Sequence, residues 1–330
     1  MRKYPVGIQS FEELRKGNYV YVDKTALIYR LVESGKYYFL SRPRRFGKSL
    51  LVSTLEAYFQ GKKELFGGLA MERLEDEWAE YPVLHVDLNT KKYENHSSLD
   101  EILNQHLEKW EAVYGDEKND RSPEERFSYI IEKISTVTGR NVVILIDEYD
   151  KPMLQAIGNE ELLADYRNTL KAFYGVMKSC DSYIKFALLT GVTKFSKVSV
   201  FSDLNNLMDI SLSDRFANIC GITEEELYRD FREDILELGQ RNGMGEKETK
   251  TALKERYDGY HFVKDGDDIY NPFSLLNTFA EMKFGSYWFE TGTPTFLVKL
   301  LQHSGYDLQR LAKEMASVDS LGGIDHMNTN

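Results

Sequence analysis

Runs of apolar residues alternate along the chain with stretches in which apolar side chains recur every three or four positions. The apolar runs cover residues 37–40, 81–88, 142–146 and 183–191. Continuous runs of this kind are typical of strands buried on both faces, as in the middle of a parallel sheet. We expect a fifth strand around residues 207–212 and a short β-rich piece at residues 19–22.

The stretches between these runs have the spacing of amphipathic helices. The predicted helices are residues 24–34, 49–59, 99–114, 123–137 and 154–179. Strands that alternate with helices predict an α/β fold with a doubly wound parallel sheet.

The pattern becomes mainly helical after residue 220. Thr223 and Glu226 form a capping-box pattern that opens a predicted helix through residue 239. The Asn-Pro pair at residues 271–272 and the Thr-Pro pair at residues 293–294 are further helix starts. We therefore expect an N-terminal segment packing on the functional site (1–36), an α/β core (37–220), a helical C-terminal subdomain (221–316) and a disordered polar tail (317–330).

A candidate phosphate-binding loop joins the first predicted strand to the next helix, with the sequence Arg-Pro-Arg-Arg-Phe-Gly-Lys-Ser at residues 42–49. In such loops backbone N–H groups face the phosphates, a lysine reaches the β and γ oxygens, and a Ser or Thr hydroxyl binds Mg²⁺. Gly47 would allow the close approach, Lys48 would supply the charge and Ser49 would bind the metal. The predicted ATP-binding residues are Arg44, Arg45, Phe46, Gly47, Lys48, Ser49 and Leu50.

The match to the phosphate-loop pattern is partial. The glycine usual five residues before Gly47 is replaced by Arg42. A Gly-Lys-Ser tripeptide alone also fits a solvated turn with a surface lysine. We expect Arg42, Arg44 and Arg45 to direct their charges to phosphate.

Acidic residues follow the strand predicted at residues 142–146. Carboxyl ends of parallel strands meet at the edge where α/β sheets bind ligands. Asp147 would hold Mg²⁺ and Glu148 would polarise an attacking water, although an ordinary acidic strand end is the alternative. Thr190, at the end of the neighbouring strand, would sense the γ-phosphate or satisfy a turn. Asp87 would support the metal or cap a turn.

Three further assignments stay open. Hydrolysis needs a cation on the transferred phosphoryl group, and the candidates are Arg44, Arg45, Lys194 and Arg215. Arg215 fits a surface salt bridge equally well. Tyr21 or Val22 would flank the adenine base or serve only in packing. The aromatic segment at residues 257–262 is typical of a turn before a strand or hairpin.

The chain resembles the AAA-ATPase-like proteins of bacteria and archaea over nearly its whole length. The resemblance implies an ASCE-type, AAA-like P-loop NTPase core, and in that family the first glycine of the loop is typically replaced, as here. It also implies that segment 257–262 is a lid or a surface for another domain. Family members commonly carry a PD-(D/E)XK nuclease-like domain after the ATPase. The motifs lie at residues 5–11, 21–25, 41–49, 147–150, 189–192, 220–223, 257–260, 270–274, 287–288 and 291–294.

No Glu-x-Lys nuclease core follows residues 291–294, so we expect the nuclease-like half to be absent from this chain. A nuclease-like domain on another chain, or another partner protein, would then act together with this chain. Assembly of this chain into a homo-oligomer is also an open alternative.

Composition limits the classes of function. The net charge of −11, from 42 basic and 53 acidic residues, does not indicate whole-surface binding of nucleic acid. Cys180 and Cys220 have no metal-ligand spacing and fit reduced packing residues. There is no secretory segment and no run of about 18 apolar residues, so we expect a cytoplasmic protein without membrane contact. The chain lacks an Asn-Lys-x-Asp guanine box and a His-x-x-x-His zinc pair.

The sequence therefore predicts an ATPase that uses ATP and Mg²⁺, with Lys48, Glu148 and Thr190 as its catalytic residues and Ser49 and Asp147 at the metal. Such an enzyme would regulate or power a nuclease-like or nucleic-acid-related activity. The alternative is a slowly hydrolysing regulatory switch. A nucleic-acid-processing motor is a third hypothesis.

Overall fold

A five-stranded parallel sheet forms the centre of the computed structural model, which describes residues 2–194, 200–202, 204, 206–263 and 266–287. The strand order is β2-β3-β4-β1-β5, with helices on both faces. The predicted doubly wound α/β fold is therefore confirmed. The strands are β1 (Tyr37–Ser41), β2 (Val83–Asp87), β3 (Val142–Asp147), β4 (Ile184–Gly191) and β5 (Met208–Asp209).

Strand β4 lies between β1 and β3, so it separates the candidate phosphate loop from the strand that ends in Asp147. Leu40 pairs with Thr190, and Ile146 pairs with Leu189. The three strands therefore end at the same edge of the sheet, and the residue after each strand can reach a common crevice.

Most predicted helices are present, with small differences at their ends. They are α1 (Phe11–Lys16), α2 (Thr25–Ser34), α3 (Lys48–Phe59), α4 (Ala70–Leu74), α5 (Ser97–Tyr114), α6 (Pro123–Thr138), α7 (Lys151–Ala156), α8 (Glu160–Ser179), α9 (Glu224–Asp230), α10 (Arg232–Arg241), α11 (Glu246–Tyr257) and α12 (Pro272–Glu281).

Two predicted helices are each divided in two. The single helix expected at residues 154–179 is wrong, because Gly158 adopts a left-handed backbone and the Asn159 side chain accepts a hydrogen bond from Leu162 N, which starts α8. The helix that starts at Thr223 ends before Phe231. The ring of Phe231 is fully buried and stacks on Phe279 at 5.2 Å, and this packing is made with a non-helical backbone.

The predicted β-rich piece at residues 19–22 is not a strand. Its backbone is held by hydrogen bonds from Tyr19 N to Leu14 O and from Val20 N to Lys3 O, neither of which belongs to a strand ladder. β-branched and aromatic residues favour a strand only where a neighbouring strand pairs with them. Here Val20 and Val22 instead pack against the C-terminal helices.

Helices cover the two faces of the sheet with separate apolar clusters. Leu84, Ile144 and Leu189 face α5, α6 and α8, whereas Leu145 and Leu188 face α2 and α3. Alternation along each strand thus places Asp147 and Thr190 on the α3 face. This arrangement brings the start of α3 against the acidic ends of the strands.

The residues after Gly221 form a third apolar cluster from α9 to α12. Two short antiparallel strands also lie in this part: β6 (Ile222–Thr223) precedes α9, and β7 (Ile269–Tyr270) lies between α11 and α12. The domain boundaries at residues 36, 220 and 316 stay a prediction. The helix start predicted at residues 293–294 and the tail at 317–330 lie outside the described residues. Across the part of the chain that the structure describes, no helix has both the length and the apolar character to cross a membrane.

Candidate functional site

The loop between β1 and α3 has the backbone of an anion site. Gly47 has φ +91°, a left-handed conformation that disfavours a side chain even though a Cβ there would meet no atom within 4 Å. The first hydrogen bond of α3 runs from Leu51 N to Gly47 O. The N–H groups of Lys48, Ser49 and Leu50 precede that bond, so they are open to an anion at the positive end of the helix.

The loop wraps around the ammonium of Lys48. Its Nζ donates to Arg42 O at 3.0 Å and to Pro43 O at 3.3 Å, and the side chain is only 4% exposed. Glu148 Oε1 lies 3.8 Å from the same Nζ. The structure thus brings two predicted catalytic side chains together from positions 100 residues apart in the chain.

Asp147 and Thr190 are in direct contact at the ends of β3 and β4. Thr190 Oγ1 donates a hydrogen bond to Asp147 Oδ1, which also accepts from Glu148 N at 3.1 Å. Among the described residues, none donates to the second carboxylate oxygen, Oδ2. Thr190 therefore lies close to Glu148, as predicted, because both donate to Asp147 Oδ1, and its role as a γ-phosphate sensor stays a prediction.

Glu148 adopts an unusual backbone for a residue with a side chain, with φ +57°. Such strain persists where the surroundings hold the residue in place, and it is often found at functional sites. The side chain is 17% exposed. Burial raises the pKa of Glu148 above its ordinary value, while the charge of Lys48 opposes the rise. A carboxylate shifted in this direction is better matched to accepting a proton near neutral pH.

Comparison with known proteins identifies the family. The model of the AAA-ATPase-like family, described as "Predicted AAA-ATPase", matches residues 5–201. The chain belongs to this family. It is also similar to an "Uncharacterized protein in vnfD 5'region" from Azotobacter chroococcum mcd 1, with 40% identity over 301 residues. That match covers 91% of this chain and 56% of the relative, so the chain spans about half the length of the relative. No solved structure matches the chain.

The residues of this AAA-ATPase-like chain fit a magnesium ion held jointly with a nucleotide. Among the described residues, no group of three or more His, Cys, Asp or Glu side chains could hold a metal alone. Mg²⁺ commonly binds through one or two protein ligands together with water and substrate phosphates. Ser49, at the start of α3, and Asp147, whose Oδ2 carries no hydrogen bond from the described residues, are oxygen ligands of the required kind.

Asp87 ends β2 beside Asp147, with which it is in register. Its Oδ1 accepts a hydrogen bond from Asn89 N at 2.8 Å. The structure therefore shows the turn-capping role that was one of the two alternatives for this residue.

Sequence reasoning missed Asp150 and Tyr149, although both lie in the 147–150 motif. Asp150 is fully buried and accepts hydrogen bonds from Val192 N, Thr193 N and Thr193 Oγ1. Tyr149 N donates to Thr190 O. These bonds fix the end of β4 against the end of β3. The signal was available, because a third acidic residue so close to Asp147 needs hydrogen-bond donors when it is buried.

Gly191 also has a function in this packing. A Cβ at this position would lie 2.4 Å from the Tyr149 ring and 2.8 Å from Asp150 Oδ1. The absence of a side chain at residue 191 therefore allows the 147–150 motif to approach β4 closely.

Arg42 and Arg44 of the loop have different surroundings. The guanidinium of Arg42 is 1% exposed and donates to Ser211 O at 2.6 Å and Ala217 O at 3.2 Å. Burial lowers the pKa of Arg42 to about 10. The expectation that Arg42 is directed to phosphate is wrong, because its hydrogen bonds go to backbone carbonyls. The positive charge of Arg44, by contrast, acts on the carboxylate of Glu148 and opposes the rise in its pKa that burial causes.

Other predicted contacts also need refinement. The side chain of Phe46 is fully buried against aromatic rings, so only its backbone could contact a phosphate. Leu50 is half-buried at the start of α3. Lys194 forms an ion pair with Asp209 at 3.2 Å. Arg215 donates to Ser34 Oγ, just before β1, which places it at the opposite end of that strand from the loop.

Lys151 is a further cation at this edge that sequence reasoning missed. It begins α7, its Nζ donates to Asn89 O at 3.2 Å, and its N donates to Glu148 O. Burial lowers the pKa of Lys151, and the charge of Glu148 opposes that effect.

An open, mainly apolar cleft lies beside Gly47. Tyr21 and Val22 form one wall, and the C-terminal helices form another. The cleft also contains the buried ammonium of Lys24, which donates to both carboxylate oxygens of Glu226, at 2.6 and 2.5 Å.

We expect Arg42→Met to destabilise the fold by about 1–3 kcal/mol, because the buried carbonyls of Ser211 and Ala217 lose their donor. Urea unfolding measures the difference. Arg30→Met is the matched control, since Arg30 is exposed on α2 and its loss should change stability by less than about 0.5 kcal/mol. Equal stability of the two variants would contradict a structural role for Arg42.

Proposed function

We propose that the protein binds ATP with Mg²⁺ and hydrolyses it to ADP and phosphate. The observation that carries the proposal is the meeting of Lys48 Nζ and Glu148 Oε1 at 3.8 Å, beside the Asp147–Thr190 contact and the open N-terminus of α3. Membership in the AAA-ATPase-like family supports the same reaction.

Each side chain has a role that follows from its place. The N–H groups at the start of α3 and the ammonium of Lys48 bind the β- and γ-phosphates. Glu148 orients the attacking water and accepts its proton. Thr190 fixes the rotamer of Asp147, and Ser49 and Asp147 hold the metal. A magnesium ion held by Ser49 and Asp147 would supply positive charge to offset the negative charge of the phosphates.

Two cations of this chain are the main candidates for stabilising the transferred phosphoryl group. Arg44 and Lys151 both interact electrostatically with Glu148. Arg215 is a weaker candidate, because its guanidinium contacts Ser34 at the far end of β1. A cation from another subunit of a homo-oligomer would serve the same purpose.

We infer that the adenine base enters the apolar cleft beside Gly47, between Val22 and the C-terminal helices. Val22→Trp should weaken ATP binding about tenfold or more, because the larger ring occupies the space of the base. Val6→Trp is the control, since Val6 is 38% exposed in the same N-terminal segment and does not line the cleft. Isothermal titration with ATP measures both. Equal affinities would place the base elsewhere.

The test of the proposed function is ATP binding and phosphate release by the purified protein, with Mg²⁺ and with EDTA. We expect binding and steady turnover with Mg²⁺ and turnover at background level with EDTA. Binding without turnover would favour the regulatory switch. No binding of any nucleotide would overturn the proposal.

The biological role is proposed to be control of a nuclease-like or nucleic-acid-related partner. The proposal rests on membership in the AAA-ATPase-like family, because the resemblance implies a nuclease-like domain that acts with the ATPase. Adding DNA or RNA to the turnover assay tests direct coupling. Strong stimulation would favour a motor, and an unchanged rate would favour coupling through a partner protein.

A further inference from the structure

The phosphate loop is covered on its outer side by aromatic rings from the C-terminal part of the chain. The ring of Phe46 meets Tyr260 at a centroid distance of 4.5 Å and Phe262 at 5.6 Å, both edge to face. Edge-to-face pairs at these distances are attractive beyond the area that they bury.

The loop arginines make contacts with the same segment. The guanidinium carbon of Arg42 lies 3.8 Å from the centroid of the Phe262 ring, and that of Arg45 lies 4.8 Å from the Phe273 ring. Both are within the range of cation–π attraction. Three loop residues thus rest on three rings that lie between residues 260 and 273.

The backbone fixes the same arrangement. Gly221 N donates to Phe46 O at 3.2 Å, and Ile269 N donates to Tyr260 O at 3.1 Å. Gly221 has φ +89°, and a Cβ there would lie 2.3 Å from Ile269 Cγ2. The loop, the start of β6 and the segment that contains Tyr260 are therefore packed as one unit.

The three rings are not part of the buried core of the C-terminal helices. That core contains residues such as Leu227, Phe231 and Phe279, whereas Tyr260, Phe262 and Phe273 are only half-buried. Tyr260 and Phe262 precede β7 and Phe273 lies in the first turn of α12, and all three rings pack on the loop rather than in that core.

We propose that Tyr260, Phe262 and Phe273 are positioning residues for nucleotide binding, which hold the phosphate loop with its N–H groups facing the phosphates. The proposal rests on the proposed ATP binding and goes beyond it. The coupling is reciprocal, because a ligand that binds the ordered loop more tightly must also stabilise the ring contacts. Nucleotide binding therefore reaches the C-terminal helices through Tyr260, Phe262 and Phe273.

The first test compares Phe262→Leu with Phe284→Leu. Phe284 is a matched control, because it is also half-buried, carries a guanidinium over its ring at 5.1 Å from Arg256, and belongs to the cluster of the C-terminal helices. We expect Phe262→Leu to raise the Kd and KM for ATP by about 5- to 30-fold. The kcat at saturating ATP should change by less than about twofold, since the chemical groups are intact.

A conservative replacement of Phe262 distinguishes a positioning role of its ring from a general loss of structure. Phe262→Tyr keeps an aromatic face under Arg42 and should restore the Kd to within about twofold of the wild type. Phe273→Leu, which removes the ring under Arg45, should weaken ATP binding independently. Thermal unfolding of each variant shows whether it is folded during the binding assay.

Amide hydrogen exchange tests the reciprocal effect. At an ATP concentration that saturates the wild type but not Lys48→Met, ATP should slow exchange in residues 257–263 of the wild type and protect them much less in Lys48→Met. This readout would not respond to a purely structural role of the rings. No protection of this segment in a protein that binds ATP would overturn the inference.

Failure of this inference differs from failure of the proposed function. If the wild type binds no nucleotide, the proposed function fails and the inference fails with it. If the wild type and Phe262→Leu bind ATP equally, the ATPase assignment stands and the positioning role is wrong.

Discussion

Glu148→Gln is expected to reduce the rate of ATP hydrolysis by about 10²- to 10⁴-fold while ATP binding is retained. Glutamine has the shape of glutamate but cannot accept the proton of the attacking water. The carboxylate is suited to that task, because burial raises the pKa of Glu148, while the positive charge of Lys48 opposes the rise. Affinity should stay equal or increase, since one negative charge near the γ-phosphate is removed.

Turnover and binding are measured on the same preparation with Mg²⁺ present. Glu161→Gln is the control, since Glu161 is exposed in the first turn of α8. Its turnover should equal that of the wild type. If the turnover of Glu148→Gln is within a factor of about two of the wild type, Glu148 is not the general base. Loss of a general base lowers the rate by about a hundredfold or more.

Lys48→Met is expected to weaken ATP binding by about 10- to 100-fold, because the charged contact to the β- and γ-phosphates is lost. Methionine has a similar length and no charge. The loop also loses the donor for Arg42 O and Pro43 O, and Glu148 loses its nearest cation. Turnover should fall at least as much as affinity.

AMP distinguishes the contact with phosphate from collapse of the loop. It lacks the β- and γ-phosphates, so Lys48→Met should bind AMP about as well as the wild type does. Titration with ATP and with AMP measures the two affinities. Lys63→Met, at an exposed lysine, is the control for removing a positive charge. Equal loss of ATP and AMP binding in Lys48→Met would indicate a collapsed loop rather than a missing phosphate contact.

Local patterns were sufficient to predict the elements around the site. A strand buried on both faces requires a continuous apolar run, so β3 was predicted close to its observed bounds. The helix after Gly47 was predicted from the spacing of its apolar residues. Lys48 and Asp147 could be assigned to one edge of the sheet before their contacts were known, because the carboxyl ends of parallel strands meet there.

Errors arose where the decisive neighbour is distant in the chain. Arg42 was assigned to phosphate because its sequence neighbours are basic, but its hydrogen-bond acceptors, Ser211 O and Ala217 O, are about 170 residues away. The segment at residues 19–22 has strand propensity but no strand to pair with. Neither fact is visible in a local pattern, because each depends on which surfaces meet after the chain folds.

The sequence by itself determined the alternation of strands and helices, the phosphate loop and the acidic end of β3, because these depend on side-chain periodicity and on local backbone requirements. Only the tertiary structure decided that β4 lies between β1 and β3, that Thr190 holds Asp147, and that aromatic rings beyond residue 259 cover the loop. These contacts join residues that are distant in the chain. Burial of the whole apolar surface selects them, and no short segment contains that information.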